Sequence, residues 1–284
     1  MRTANLTRVR RVGLLLVPGL AALVLALAPL AHAAPRPLVS VYGDSLVLEA
    51  KPYLEPFLRD LGHVDPHLVA VGGTAPCDIL PTMRDEGAHL HASLVILEFS
   101  GNTVSPCMHD GLGLPLRGQG VVDKYRADLV EAIKAFRPGA PQIWLATAPN
   151  TLTELAEHDD IQDRLNAMLR SLAADNHRVH VVAAGEAVLD HHQWTPTMPC
   201  LPKEPCQWGV DAGGHPANKV RANDGGHFCP WGPTPMYAEC PTYSSGAMRY
   251  ALGLSVLPLR SRGWLDEAAM RSSIAAGWVA PPPG

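Results

Sequence analysis

The stretch Leu38-Val39-Ser40-Val41-Tyr42-Gly43-Asp44-Ser45-Leu46 decides the reading of the fold. Leu38 to Tyr42 has the β-branched and aromatic character of a strand. Gly43-Asp44 breaks it, and Ser45 stands where a helix begins. A hydroxyl there lies at the carboxyl edge of a sheet and at a helix N-terminus, whose dipole favours developing negative charge. Taken alone the triplet is weak evidence, because Asp and Ser are ordinary turn and N-cap residues.

Downstream, four further apolar runs read as strands: Leu68 to Val71, Leu94 to Phe99, Ile143 to Ala148 and Val179 to Ala184. The third strand is interrupted only by Glu98. Continuous runs of this kind suit strands buried on both faces. Between them, Val122, Tyr125, Leu129, Ile133 and Phe136 recur at helical spacing up to Pro138-Gly139, and Ile161, Leu165, Met168, Leu169 and Leu172 repeat the pattern. The alternation predicts a doubly wound α/β domain with a parallel sheet of about five strands and helices on both faces. Working residues in such sheets gather at the carboxyl ends of strands. From 191 to 243 the periodicity ends, Pro, Gly and Cys are dense, and a long loop is expected. Helices are predicted over Ser244 to Leu254 and Leu265 to Ala276, ahead of a Pro-rich end, Ala280 to Gly284.

The 284 residues suffice for one domain with a large core. Arg2, Arg8, Arg10 and Arg11 precede an apolar run from Val12 to Leu30, and Ala31-His32-Ala33 suits signal peptidase. Residues 1–33 are therefore read as a signal peptide and 34–284 as a single exported domain, secreted or associated with the cell wall. The Arg10-Arg11 pair raises the twin-arginine route, although its surroundings fit that motif poorly. An uncleaved anchor is the alternative, opposed by Pro18, Gly19 and the small-residue cleavage site. Without those 33 residues the chain has 19 basic against 27 acidic residues, a net charge of −8. A surface that acidic does not invite nucleic acid or anionic lipid. The chain is read as a monomer with no stable membrane insertion after cleavage.

Six cysteines in an exported chain imply three disulfides out of fifteen connectivities. Proximity suggests Cys200–Cys206 and Cys229–Cys240, leaving Cys77–Cys107. No C-x-x-C pair points to a zinc ribbon. His63, His67, His89 and His91 lie on separate turns, so no metal is expected. Trp194, Trp208 and Trp231 in the long loop either pack it or offer aromatic faces to an acyl chain or sugar.

Three more motifs fall just beyond strands or near the end of the chain. Asp224-Gly225-Gly226-His227 places a carboxylate three residues before an imidazole, within one short turn. A Ser nucleophile needs such a base, and the base needs a partner that fixes its tautomer. Ser100-Gly101-Asn102 follows the third strand, where an amide can donate to an oxyanion. Gly72-Gly73-Thr74 follows the second, where a glycine leaves a backbone N–H unobstructed. Each is also an acceptable plain turn.

Together, and in this order, Ser45, Gly73, Asn102 and His227 with Asp224 resemble the four sequence blocks of the SGNH hydrolases, the GDSL-type esterases and lipases. The likeness runs from Val39 to about Leu254. It implies a three-layer α/β/α, flavodoxin-like sandwich with strand order 2-1-3-4-5 and no cofactor. It further implies Ser45 as nucleophile, His227 as base and Asp224 as its orienter. The oxyanion donors would be the Ser45 N–H, the Gly73 (or Gly72) N–H and the Asn102 side chain. The expected substrate is a small-molecule, lipid or polysaccharide ester, cleaved by a Ser-His-Asp mechanism. An O-acyltransferase using the same residues is an alternative, and so is a non-catalytic carbohydrate- or envelope-binding module. The third block departs from the family's Gly-x-Asn-Asp, since Ser100 and Thr103 flank Gly101-Asn102. The Cys229–Cys240 segment enlarges the gap to the next helix. A Cys77–Cys107 bond would tie the second-block loop to the third.

Overall fold

Apolar side chains alternate between two faces along every central strand, and this alternation builds two cores on one sheet. A computed structural model describes residues 35–276 apart from 140, 203, 207–209, 212 and 231–239. The signal-peptide reading of residues 1–33, the Pro-rich end, Trp208 and Trp231 lie outside the described residues. From Arg36 onward the described residues form one compact unit.

Strands β1 (Leu38–Gly43), β2 (Asp65–Ala70), β3 (Leu94–Glu98), β4 (Gln142–Ala146) and β5 (Val179–Val182) form a parallel sheet in the order β2-β1-β3-β4-β5. On one face Val39, Val41, Ile96, Trp144 and Ala146 pack against helices α1 (Ser45–Pro56) and α6 (Ser245–Ser261), with Leu54 and Leu254 fully buried. On the other, Tyr42, Val95, Leu97, Ile143 and Leu145 meet α2 (Pro76–His89), α3 (Gln119–Ala135) and α5 (Ile161–Ala174) through Met83, Leu129 and Leu169. Each such side chain contributes about 1.5–3 kcal/mol on burial. The result is the three-layer α/β/α architecture.

After β1 the chain crosses outward to β2 and then returns to the other side of β1 as β3. The loops leaving β1 and β3 therefore diverge and open a crevice at their carboxyl ends. Gly43 pairs with Glu98 at this edge. A Cβ at Gly43 would lie 2.9 Å from the Glu98 carbonyl oxygen and collide with the Val47 side chain, so only glycine fits.

Two helices were not evident from periodicity: α2, which carries Pro81, and the six-residue α4 (Leu152–Glu157). The helix expected from Ser244 extends to Ser261, and the last, α7, spans Glu267–Ala276. The expected long loop is also partly ordered. It contains one antiparallel ribbon of β6 (Leu189–Asp190) and β7 (Gln193–Trp194), and another of β8 (Thr197–Pro199) and β9 (Ala217–Lys219). The bonded cysteines are Cys77–Cys107, Cys200–Cys206 and Cys229–Cys240. The first joins the opening turn of α2 to the turn Pro106–Met108 beyond β3. No helix among the described residues is long and apolar enough to cross a membrane.

Candidate active site

Ser45 is the first residue of α1, and Asp44 caps that helix by accepting from the Leu46 N–H at 3.0 Å. The serine is 6 % exposed, with its Oγ 2.9 Å from His227 Nε2. On the far side of the ring, Nδ1 lies 2.7 Å from Asp224 Oδ2. The Gly226 and His227 N–H groups donate to Asp224 Oδ1 at 2.9 and 3.0 Å, so the turn itself aims the carboxylate. Asp224-Gly225-Gly226-His227 thus meets Ser45 across 182 residues of chain.

One bond closes this turn from within, and others hold it from outside. Ala222 N–H donates to the His227 carbonyl at 2.6 Å and closes it. The Trp194 indole N–H and the Leu152 N–H both donate to Gly225 O, at 2.8 and 3.2 Å. Arg221, fully buried over the Phe228 ring, reaches Gly226 O at 3.3 Å. Its burial lowers the guanidinium to about 10. Ser244, the N-cap of α6, donates through its hydroxyl to Phe228 O at 2.7 Å.

Burial pulls the Asp224 carboxyl upward, but the bonds from His227 and Gly226 outweigh it and hold the group well below the usual carboxylate range. The bond to Asp224 raises His227, with burial opposing it and the Glu49 carboxylate adding to the rise. The pair therefore favours an imidazolium beside an ionised acid. At 47 % exposure Asp224 remains open to solvent screening, and the ion pair is a weak source of stability.

On the Ser45 side lies a cluster of buried acids. Asp44 is fully buried, and its Oδ2 accepts from Ser100 N–H (2.7 Å), Ser100 Oγ (2.6 Å) and Asn102 Nδ2 (2.8 Å). Ser100, which stands where the resemblance departs from the family block, thereby ties β3 to the helix cap. Burial raises Asp44, partly offset by those bonds. Glu98 lies beside it at 0 % exposure, driven well up by burial and by the Asp44 charge, and accepts from Tyr250 Oη at 2.8 Å. Both influences favour the protonated acid at Glu98. Glu49 escaped attention in the sequence, and Glu98 was noted only as an interruption of its strand, because each sits inside an apolar run. A lone acid in such a run was the available signal.

The Asn102 amide also donates to Thr74 O at 3.2 Å, so the second and third loops touch directly. Gly73, but not Gly72, takes a left-handed backbone conformation (φ 75°), which explains a glycine there. Among the described residues the groups with metal-ligating chemistry are Glu49-Cys229-Cys240 and Cys77-Asp78-Cys107, whose cysteines are disulfide-bonded. His63, His67 and His89 each face a separate carboxylate, Asp266, Glu86 and Asp85.

No protein-family model matches the chain, and no curated protein matches it. Among solved structures it is similar to one named an acylhydrolase from Bacteroides fragilis. That match has 13% identity, covers 80% of this chain and 91% of the other, and has a TM-score of 0.51. A GDSL-like lipase from Bacteroides thetaiotaomicron matches at 12% identity, covering 79% of this chain and 88% of the other, with a TM-score of 0.48. A family 3 carbohydrate esterase from Clostridium thermocellum matches at 13% identity over 79% and 98%, with a TM-score of 0.45. With its strand order and flanking layers, the chain has the three-layer fold of the SGNH hydrolases.

Proposed function

We propose that this chain is an exported serine esterase in which Ser45 attacks an ester carbonyl while His227 accepts the hydroxyl proton. The observation that carries the reading is the relay from Ser45 Oγ to His227 Nε2 at 2.9 Å and from His227 Nδ1 to Asp224 at 2.7 Å. These distances suit proton transfer and tautomer control without rearrangement. Attack forms a tetrahedral oxyanion, and the imidazolium then protonates the departing alcohol. Water, deprotonated by the same imidazole, releases the acyl group.

The oxyanion donors are the Ser45 N–H at the start of α1, the Gly73 N–H and the Asn102 amide. Asn102 is engaged in the resting site by Asp44 and Thr74. An amide nitrogen has two hydrogens. We therefore assign the oxyanion to the one on the longer bond, to Thr74 O, while the bond to Asp44 keeps the side chain in place. The resemblance to an acylhydrolase supports an ester substrate, with lipid or carbohydrate O-acyl groups as its class. Export is supported by the three disulfides, which persist in oxidising compartments; removal of residues 1–33 is inferred from their sequence alone.

The test is hydrolysis of p-nitrophenyl acetate and longer acyl esters by the purified 34–284 domain beside Ser45→Ala. Loss of hydrolysis in the variant is expected, and activity that survives it overturns the nucleophile. For the wild type, kcat/KM rises with pH through a midpoint above the ordinary imidazole range, since only neutral His227 accepts a proton and its pKa is raised. Acyl transfer to an added alcohol uses the same residues and is read from the same reaction products. Absence of hydrolysis in every form would favour the non-catalytic binding module.

A further inference from the structure

We infer that Glu49 is a positioning residue for His227, binding the loop of the base to the helix of the nucleophile and adding a second negative charge behind the imidazole; this rests on the esterase reading above. Glu49 lies four residues after Ser45 in α1, one turn along the same helix face. Its side chain is 2 % exposed, and Oε2 accepts the N–H of Phe228, the residue after His227, at 2.6 Å. The Cys229–Cys240 sulfurs lie within 4.8 Å of the same group and share its burial. A short charge-assisted bond from a backbone donor to a buried carboxylate is a rigid link. It sets the Ser45-to-His227 spacing independently of Asp224, which governs only the far side of the ring.

The charges around Glu49 make its electrostatic effect specific. Burial raises it to about 7, against the pull of His227 and the Phe228 N–H, while Asp224 adds to the rise. Charged groups on the neighbouring elements act elsewhere: Arg249 of α6 on Glu204, Tyr250 on Glu98, and Arg221 on the Gly226 and Val188 carbonyls. Tyr53, on the same helix, accepts from the Ser244 N–H. The charge of His227 acts directly on Glu49, and an ionised Glu49 strengthens His227 as a base.

Glu49→Gln keeps the shape and an acceptor oxygen for Phe228 but removes the charge. The experiment follows the His227 ring proton by NMR across pH in the wild type and in this variant, together with kcat and KM on p-nitrophenyl acetate. The expected result is a His227 midpoint lower by about 0.5 pH unit in the variant, the direction required when a nearby anion is lost. A kcat about threefold lower at pH 8, with KM unchanged, is expected alongside it. Glu49→Ala, which also removes the acceptor, should lower kcat at least tenfold; the Gln variant decides the matter if the Ala variant does not fold. An unchanged His227 midpoint in Glu49→Gln overturns the inference. Absence of Ser45-dependent hydrolysis in the wild type overturns the esterase reading instead, because the NMR titration does not depend on turnover.

Discussion

Ser45 stands on a floor of strand ends, whereas His227 stands on a turn, Ala222–His227, that projects from no strand of the central sheet. Beneath the serine, a fully buried Asp44 gathers donors from Leu46, Ser100 and Asn102, with the buried acid Glu98 at its side. Beneath the histidine, Asp224 is 47 % exposed and is aimed by the backbone of its own turn. Desolvated hydrogen bonds to a carboxylate are strong and their loss is severe, while solvent-exposed pairs contribute little to folding. The contrast teaches that stability and catalysis are separable here. The acid beside Ser45 holds the fold, and the acid beside His227 is the one that the proposed mechanism puts to work on the reaction.

The largest effect that sharpens this contrast is Asp224→Asn. It should lower kcat about 10³- to 10⁴-fold, or about 4–5.5 kcal/mol in the barrier, by misplacing the imidazole proton. Its melting temperature should stay within about 2 °C of the wild type. Next, Asp44→Ala should lower the unfolding free energy by about 3–4 kcal/mol, read from urea unfolding, because several buried donors lose their acceptor together. Equal loss of stability in both variants would break the comparison. Asn102→Ala should reduce kcat about 10²-fold, close to 2.7 kcal/mol, with KM little changed. A variant with normal kcat would remove the amide from the oxyanion site.

The smallest effect concerns Glu98. Its folded pKa is raised, so its contribution to stability is present below the unfolded value and is lost as pH rises towards the folded one. Glu98→Gln, which imitates the neutral acid, should match the wild type near pH 4 and become the more stable protein by about 1 kcal/mol at pH 8. Parallel stability curves for the two proteins across that range would show that Glu98 keeps its charge in the fold.

The inner strands β1, β3 and β4 were legible because strands buried on both faces need apolar runs, and those runs are local; of the edge strand β2, half-exposed and opening with Asp65-Pro66-His67, only the apolar Leu68–Ala70 end was read. Helix α2 was not legible: Pro81 interrupts it, and its buried side chains Ile79, Leu80 and Met83 are too sparse to declare a period. The ribbons β6–β7 and β8–β9 have strands of two or three residues, below the length at which alternation registers. Trp194 was noticed only as a loop aromatic, and its bond to Gly225 became visible once the ribbon placed it there. The motifs at Ser45, Asn102 and His227 were readable one at a time, because each is a short turn with its own chemistry.

By itself, then, the sequence determined which segments build the central sheet, where the reactive residue types stand relative to their ends, and the order of the motifs along the chain. Apolar periodicity and turn chemistry act over a few residues, and a linear reading captures them. Only the tertiary structure decided that His227 reaches Ser45, that Asn102 is bound to Asp44, and that proton affinity is raised at Glu98 and lowered at Asp224. Proton affinity and hydrogen-bond choice depend on burial and on partners brought from distant parts of the chain. Those partners meet only when the sheet closes and its loops converge on one edge.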